Sequence, residues 1–119
     1  MNIGDLSNLK KSEILAEGYL NAGKSLGFKT RDLGEILGGD RKALSRNKLD
    51  TQSKSGEIAM MFIRIYRSLF VLMGGNVEQM QVWMHTRNSH TGGVPSDQVR
   101  TLVGLVTVME YLDAMQEKL

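Results

Sequence analysis

One long apolar segment restricts what this chain can fold into. Between about Ser55 and Met73, apolar side chains recur at the spacing of one helix face, and others fall on the remaining sides. A helix that is apolar on most sides is usually enclosed by other helices or buried in an oligomer. We therefore expect a central helix here, with a homodimer as one way to cover its outer sides. The face carries Ile58, Met61, Phe62, Ile65, Leu69 and Leu72, and the other sides carry Ile63, Tyr66, Phe70 and Val71.

The composition favours an all-α globular protein. Hydrophobic residues make up 41% of the 119 residues, and a single proline together with few β-branched runs favours helix throughout. Arg64 and Arg67 interrupt the apolar segment, so a membrane span is not expected. The absence of cysteine excludes disulfides and suits a reducing cytoplasm. Residues 1–11 lack the apolar core of a signal peptide, so we expect a cytoplasmic protein.

Three helices are predicted before the central one. The first ten residues look weakly ordered, and a helix is expected from Ser12 to Gly27. A second helix is expected to begin with Thr30 as its N-cap and to end at Gly38-Gly39. Asp40 is expected to cap a third helix that runs to about Asn47. The predicted inward residues of the three helices are Leu15, Tyr19, Ala22, Leu26, Leu33, Ile36, Leu37 and Leu44.

The second and third helices have the form of a DNA-binding helix-turn-helix. Residues 24–48 contain seven basic and three acidic side chains, a local excess of +4 in a chain whose net charge is +2. Arginine suits the reading of guanine, while lysine and serine suit phosphate. An ordinary helical hairpin with a solvated basic surface is the alternative. The position near Asn47 is usually apolar in such a motif, and Leu49 must take that role. The predicted DNA-binding residues are Thr30, Arg31, Arg41, Lys42, Ser45, Arg46 and Lys48.

A polar stretch from Leu49 to Ser55 suggests a boundary, with one domain at residues 1–54 and a second at 55–119. After the stop at Gly74-Gly75, Asn76 is expected to cap a helix with Val77, Met80, Trp83 and Met84 on one face. A loop follows from Arg87 to Val94, Pro95 opens the next helix, and Gly104 permits a corner or close packing. The last helix is expected to bury Leu105, Val108, Met109, Leu112 and Met115.

No residue pattern points to catalysis, a metal or a cofactor. His85 and His90 have no carboxylate at ligand spacing, so solvated or hydrogen-bonded histidines are the better interpretation. Gly92-Gly93 follows no predicted strand and precedes no Gly-Lys-Ser/Thr, which indicates a turn and not a phosphate loop. No nucleophile is grouped with a base. We therefore expect a binding protein and not an enzyme.

The C-terminal half resembles the toxin-binding domain of the Xre/MbcA/ParS antitoxins. The resemblance covers roughly Val71 to Leu112. The helix-turn-helix that precedes this segment also stands in the order found in the family. Two positions depart from the pattern: Met84 replaces a leucine, and Thr91 stands where an apolar residue commonly precedes the glycine pair. We expect the residues that carry the resemblance to be structural. They are Trp83, Asn88, Gly92, Gly93, Pro95, Gly104, Val108 and Leu112, and Thr101 also matches the pattern.

The resemblance implies an antitoxin of a type II toxin–antitoxin pair. Its implied partners are a RES-domain toxin that consumes NAD or uses it for ADP-ribosylation, and the promoter DNA of its own operon, bound as a homodimer or within a larger toxin–antitoxin complex. From their position outside the core, we expect Arg100, Glu110, Asp113, Gln116 and Glu117 to face the toxin. Two alternatives are a stand-alone phage-type helix-turn-helix regulator whose C-terminal half dimerises, and a helical adaptor that binds neither DNA nor a toxin.

Overall fold

The computed structural model describes residues 2–39 and 41–119, without the side chain of Arg41, and within them the chain is all-α as expected. Seven helices are present in these residues, and the only strand-like feature there is an isolated bridge between Asn88 and Gly93. No helix among them is long and apolar enough to cross a bilayer. The helices are α1 (Ile3–Ser25), α2 (Thr30–Ile36), α3 (Arg41–Ser45), α4 (Lys54–Leu72), α5 (Val77–His85), α6 (Pro95–Gln98) and α7 (Leu102–Glu117).

Helix α1 begins nine residues earlier than the sequence predicted. Asn2 is its N-cap, and the Asn2 Oδ1 atom accepts a hydrogen bond of 2.8 Å from the backbone N–H of Asp5. The prediction of a weakly ordered start was wrong because it overlooked this cap. The helix ends before Gly27, whose φ of +86° is the left-handed conformation that glycine adopts without strain. All four residues predicted for its inner face, Leu15, Tyr19, Ala22 and Leu26, are buried.

The hairpin of α2 and α3 differs from the prediction at its caps. Lys29, not Thr30, is the N-cap, and its backbone N–H donates to a carboxylate oxygen of Asp32 over 3.4 Å. Thr30 is therefore already helical. Helix α3 ends at Ser45, two residues early, and Asn47 has a φ of +56°. The predicted cap Asp40 lies outside the described residues. The predicted inner residues Leu33, Ile36, Leu37 and Leu44 are buried.

Helix α4 starts at Lys54 because Ser53, not the predicted Ser55, caps it. The Ser53 Oγ atom accepts a 3.0 Å hydrogen bond from the backbone N–H of Gly56. The stretch before it is fastened to α1, since Leu49 is buried and its N–H donates to the carbonyl of Ser12 over 3.0 Å. Leu49 thus supplies the apolar contact that the hairpin needed.

The core lies on both sides of α4, which packs against α1 and α7. The Phe62 ring of α4 receives two aromatic neighbours edge-on, Tyr19 at 5.2 Å and Phe28 at 5.4 Å between ring centroids. One cluster of buried side chains contains residues from before and after the polar stretch at 49–55. The two predicted domains, residues 1–54 and 55–119, therefore share one core. Their division at residue 54 stays a prediction.

Candidate interaction surfaces

Helix α5 has one buried and one exposed side. Asn76 caps it as predicted, since the Asn76 Oδ1 atom accepts a 3.1 Å hydrogen bond from the N–H of Gln79. Met80 and Met84 are fully buried against the core. The prediction that Val77 is an inner residue of α5 was wrong, since Val77 stands at the first position of the helix and is exposed. Two bonds anchor α5 to the end of α1: Gln81 Nε2 donates to the Ser25 carbonyl over 3.0 Å, and His85 Nε2 donates to the Leu26 carbonyl over 2.9 Å.

Trp83 belongs to a stack of three rings and is only partly buried. The Tyr111 ring of α7 stacks with both Trp83 and His90, with ring centroids 6.2 Å and 5.9 Å away and planes within 12° of parallel. Offset parallel rings at such distances attract one another. The stack joins α5, the following loop and α7. His85 and His90 are thus engaged in a hydrogen bond and a ring contact, and no group of metal ligands exists within the described residues.

The loop after α5 is built around Asn88. Its side-chain oxygen accepts hydrogen bonds from the N–H groups of His90 (2.8 Å) and Thr91 (3.3 Å), and its backbone pairs with that of Gly93. Gly92 has a φ of +85° and makes the reversal possible. Thr91 is buried, and its hydroxyl lies 3.3 Å from the Asn88 carbonyl and 3.4 Å from the Gly93 carbonyl. A polar residue therefore fits the position where an apolar one is common.

A tight corner joins α6 to α7. Pro95 is buried at the first position of α6, and Thr101 caps α7 by accepting a 3.1 Å hydrogen bond from the N–H of Gly104. A Cβ atom at Gly104 would collide with the carbonyl oxygen of Gln98, so the predicted close packing is present. Gln98 in turn donates from Nε2 to the Thr91 carbonyl over 2.6 Å. Val108 and Leu112 are buried as expected, while Met109 and Met115 are partly buried.

Exposed apolar side chains remain at the end of α4 and on α5, and we call them together the corner face. It consists of Phe70, Val71, Val77 and Val82, all of them exposed. Beside it lies a cleft of about 470 Å³ whose walls include Met73, Val82 and Trp83. Within this chain, other helices therefore leave the C-terminal end of α4 partly uncovered, and the homodimer expected to cover such sides stays a prediction. The sequence placed Phe70 and Val71 outside the inner face of this helix, and both are exposed.

The residues predicted to face a toxin do not form one patch. Arg100 precedes α7, whereas Glu117 ends it, which places them about 24 Å apart along a helix of 16 residues. Arg100 pairs with Asp32 and Glu35, and the Arg64 guanidinium binds Asp113 through two contacts of 3.0 and 3.1 Å. Glu110, Gln116 and Glu117 are exposed.

The predicted DNA-binding residues fall on two sides of the hairpin. Thr30, Arg31 and Ser45 line one shallow depression, which is floored by Leu20 and Leu44. A second depression has Lys42, Arg46 and Lys48 in its wall. All six of these residues are exposed, and the side chain of the seventh, Arg41, lies outside the described atoms.

Arg100 links the C-terminal half to α2. Its Nη1 atom lies 2.7 Å from Glu35 Oε2, and its Nη2 atom lies 3.1 Å from Asp32 Oδ1. The hydrogen bond from Arg100 holds the pKa of Asp32 below its usual value, against a smaller opposing effect of desolvation. The same bond raises the pKa of the Arg100 guanidinium.

One comparison with known proteins covers the segment that contains the corner face, the ring stack and the Asn88 loop. Residues 68–118 match the family model of the antitoxin Xre/MbcA/ParS C-terminal toxin-binding domain. No curated protein matches the chain. The matched range includes every residue on which the resemblance rested, and the family description assigns the segment an antitoxin's role with a toxin as its partner. Segment 68–118 of this chain therefore belongs to the Xre/MbcA/ParS family of antitoxin toxin-binding domains.

Proposed function

We propose that the chain neutralises a RES-domain toxin that consumes NAD or transfers its ADP-ribose, and that it represses its own operon through the α2–α3 hairpin. The observation that carries the first part is the family match over residues 68–118. That match names toxin binding but not the toxin's chemistry, and the RES assignment comes from the resemblance of the motif. Binding and occlusion of the toxin require no bond-making by this chain.

We further propose that the toxin docks on the corner face. All four of its residues lie inside the matched segment, and the walls of the adjoining cleft include the apolar side chains of Met73, Val82 and Trp83 from the same segment. A patch of exposed apolar side chains is a common mark of a protein-binding site, and we infer that these four residues form one. Glu78 and Arg87 stand at the cleft, so the complementary surface is expected to be apolar at its centre with polar groups at its edge. The acidic residues near the end of α7 then have a secondary role.

The basic side chains and the helix-turn-helix form of the α2–α3 hairpin support the DNA-binding part of the proposal. Six exposed polar or basic side chains lie around a short helix that is joined to α2 by a tight glycine turn. Helix α3 has five residues and is about 7.5 Å long, which leaves room for few base contacts. We therefore expect phosphate contacts to supply most of the affinity, with strong dependence on salt. Two copies side by side would double those contacts, which is why a homodimer or a larger toxin–antitoxin complex is the expected DNA-binding form.

Co-expression tests the toxin-binding part. The tagged chain is produced together with the untagged product of the adjacent reading frame, and the eluate is examined for a stoichiometric partner. We expect the partner to co-purify and its NAD consumption to fall to background at equimolar ratio. A partner that stays in the flow-through, or that keeps its NAD-consuming activity at equimolar ratio, would contradict the proposal.

A labelled duplex of the sequence upstream of the gene tests the DNA-binding part, with and without the toxin at low salt. We expect a complex whose affinity falls steeply as salt rises. If the duplex is bound but no neighbouring protein co-purifies, the stand-alone regulator is the better description. If neither binds, a helical adaptor remains.

A further inference from the structure

The Arg100 guanidinium satisfies both acidic side chains of α2 at once. Asp32 and Glu35 are three residues apart on α2 and therefore project from the same side of the helix. One nitrogen of the planar guanidinium contacts each carboxylate, at 3.1 and 2.7 Å. These contacts join a residue of the toxin-binding segment to the hairpin across 65 positions of sequence.

Arg31 is the basic residue of α2 and precedes both acidic residues. It is exposed, it lies at the start of α2, and it precedes Glu35 by four residues. This spacing is that of an ion pair within a helix. In the described part of the chain, however, Arg31 makes no salt bridge, and the Glu35 carboxylate is held by Arg100. The charge of Arg31 also helps to lower the pKa of Asp32, so the two groups interact without a direct contact.

We propose that Arg100 is a positioning residue for DNA binding: it occupies Glu35 and Asp32 and thereby keeps the Arg31 guanidinium free to contact a phosphate. Without Arg100, Glu35 is an unpaired carboxylate about one helical turn after Arg31, and Arg31 pairs with it. A paired guanidinium must break that contact before it binds a phosphate, which lowers DNA affinity. Arg100 itself touches no DNA. This inference rests on the proposed DNA-binding function of the hairpin.

Fluorescence anisotropy with a labelled duplex of the upstream sequence, at low salt and without toxin, measures the effect. We expect Arg100→Gln to weaken binding about threefold to fivefold, because an ion pair at contact distance in water is worth roughly that factor. Glu35→Gln alone is expected to bind as tightly as the wild type or slightly tighter. The double variant Arg100→Gln/Glu35→Gln is expected to regain most of the loss, which a merely structural role of Arg100 does not predict.

A second arm uses Arg31→Gln as the background. Because the proposed effect passes through Arg31, adding Arg100→Gln to Arg31→Gln should cause no further loss. Thermal unfolding of each variant shows whether it is folded at the assay temperature. Should Arg100→Gln unfold, Arg100→Lys replaces it: a single ammonium on one acid leaves the other for Arg31, so an intermediate loss is expected, again reversed by Glu35→Gln.

The failures are distinguishable. If the wild type does not bind the duplex, the DNA-binding function falls and this inference falls with it. If the wild type binds and Arg100→Gln binds equally well, only the inference is overturned. A loss that Glu35→Gln does not reverse, or that is the same in the Arg31→Gln background, also overturns it.

Discussion

The hydroxyl of Tyr19 on α1 donates a hydrogen bond of 2.6 Å to the main-chain carbonyl oxygen of Leu33 on α2, and both residues are fully buried. Burial raises the pKa of the Tyr19 phenol well above its usual value, so the group remains a donor throughout the ordinary pH range. The contact fixes the hairpin to the first helix. It also explains why a tyrosine stands on a face that is otherwise apolar.

Removing this hydroxyl should destabilise the protein. In Tyr19→Phe the ring remains packed edge-on against Phe62, but the Leu33 carbonyl loses its side-chain partner in a buried place. The expected loss is about 1–3 kcal/mol in the free energy of unfolding. Urea denaturation followed by circular dichroism measures it, and an unchanged midpoint would show that water replaces the bond without cost.

Two glycine-to-alanine changes should act in opposite directions. Gly104→Ala places a Cβ atom against the backbone carbonyl of Gln98, which cannot move without opening the α6–α7 corner, and we expect a loss of about 1–3 kcal/mol. Gly18→Ala, in the middle of α1, meets only Ile63 Cδ1 at an ordinary 3.5 Å, and the helix should gain about 0.5–1 kcal/mol. Thermal melts of the pair check the difference. Equal effects of the two changes would mean that the corner is not tightly packed.

Trp83 should matter less for stability than Met84, although the sequence placed both on one helix face and Trp83 among the structural residues. Trp83 is partly exposed and stacks on Tyr111, whereas Met84 is fully buried. We expect Met84→Ala to cost about 2–5 kcal/mol through a cavity. Trp83→Ala should cost less than the roughly 3–5 kcal/mol typical of fully buried aromatic residues. Chemical denaturation measures the loss of unfolding free energy in both variants. A larger loss in Trp83→Ala than in Met84→Ala would contradict this assignment.

The Asp32–Arg100 contact should be visible in acid. Because the folded pKa of Asp32 is depressed, its contribution to stability is present above the unfolded value of about 4 and is lost as the pH falls through the lower folded value. The wild type should therefore lose more of its melting temperature between about pH 5 and pH 2 than Asp32→Asn does. The difference should shrink at high salt, since both groups are partly exposed. Parallel pH profiles of the two proteins would contradict the role of this contact.

The sequence predicted the fold well where local chemistry decides the outcome. Asn76, Pro95 and the glycine at 104 each have a conformational or capping role that is readable from a few neighbours, and the structure agrees. Cap positions were less certain when two candidates lay close together. Ser53 and Ser55 are both good caps. Ser53 caps the helix, while the Ser55 hydroxyl donates to the Leu37 carbonyl over 3.4 Å, a partner distant in sequence.

The candidate sites were harder to predict because they depend on which surfaces remain uncovered. Arg100 was expected to face a toxin, yet its partners Asp32 and Glu35 are distant in sequence, and no local pattern reveals them. Phe70 and Val71 have the same apolar character as the core residues beside them. Their exposure follows from where α5 turns away after Gly74, which is set by the three-dimensional path of the chain.

The most direct test compares the affinity of two matched variants for the product of the adjacent reading frame, measured by calorimetry. Val82 on the corner face and Ile14 on α1 are both β-branched helix residues, with exposed fractions of 64% and 67%. Ile14 lies outside the matched segment 68–118. We predict that Val82→Asp weakens toxin binding by at least about tenfold, the scale of an interface residue worth more than 1 kcal/mol, while Ile14→Asp leaves it unchanged. Wild-type affinity in Val82→Asp, or a loss confined to Ile14→Asp, would contradict the account.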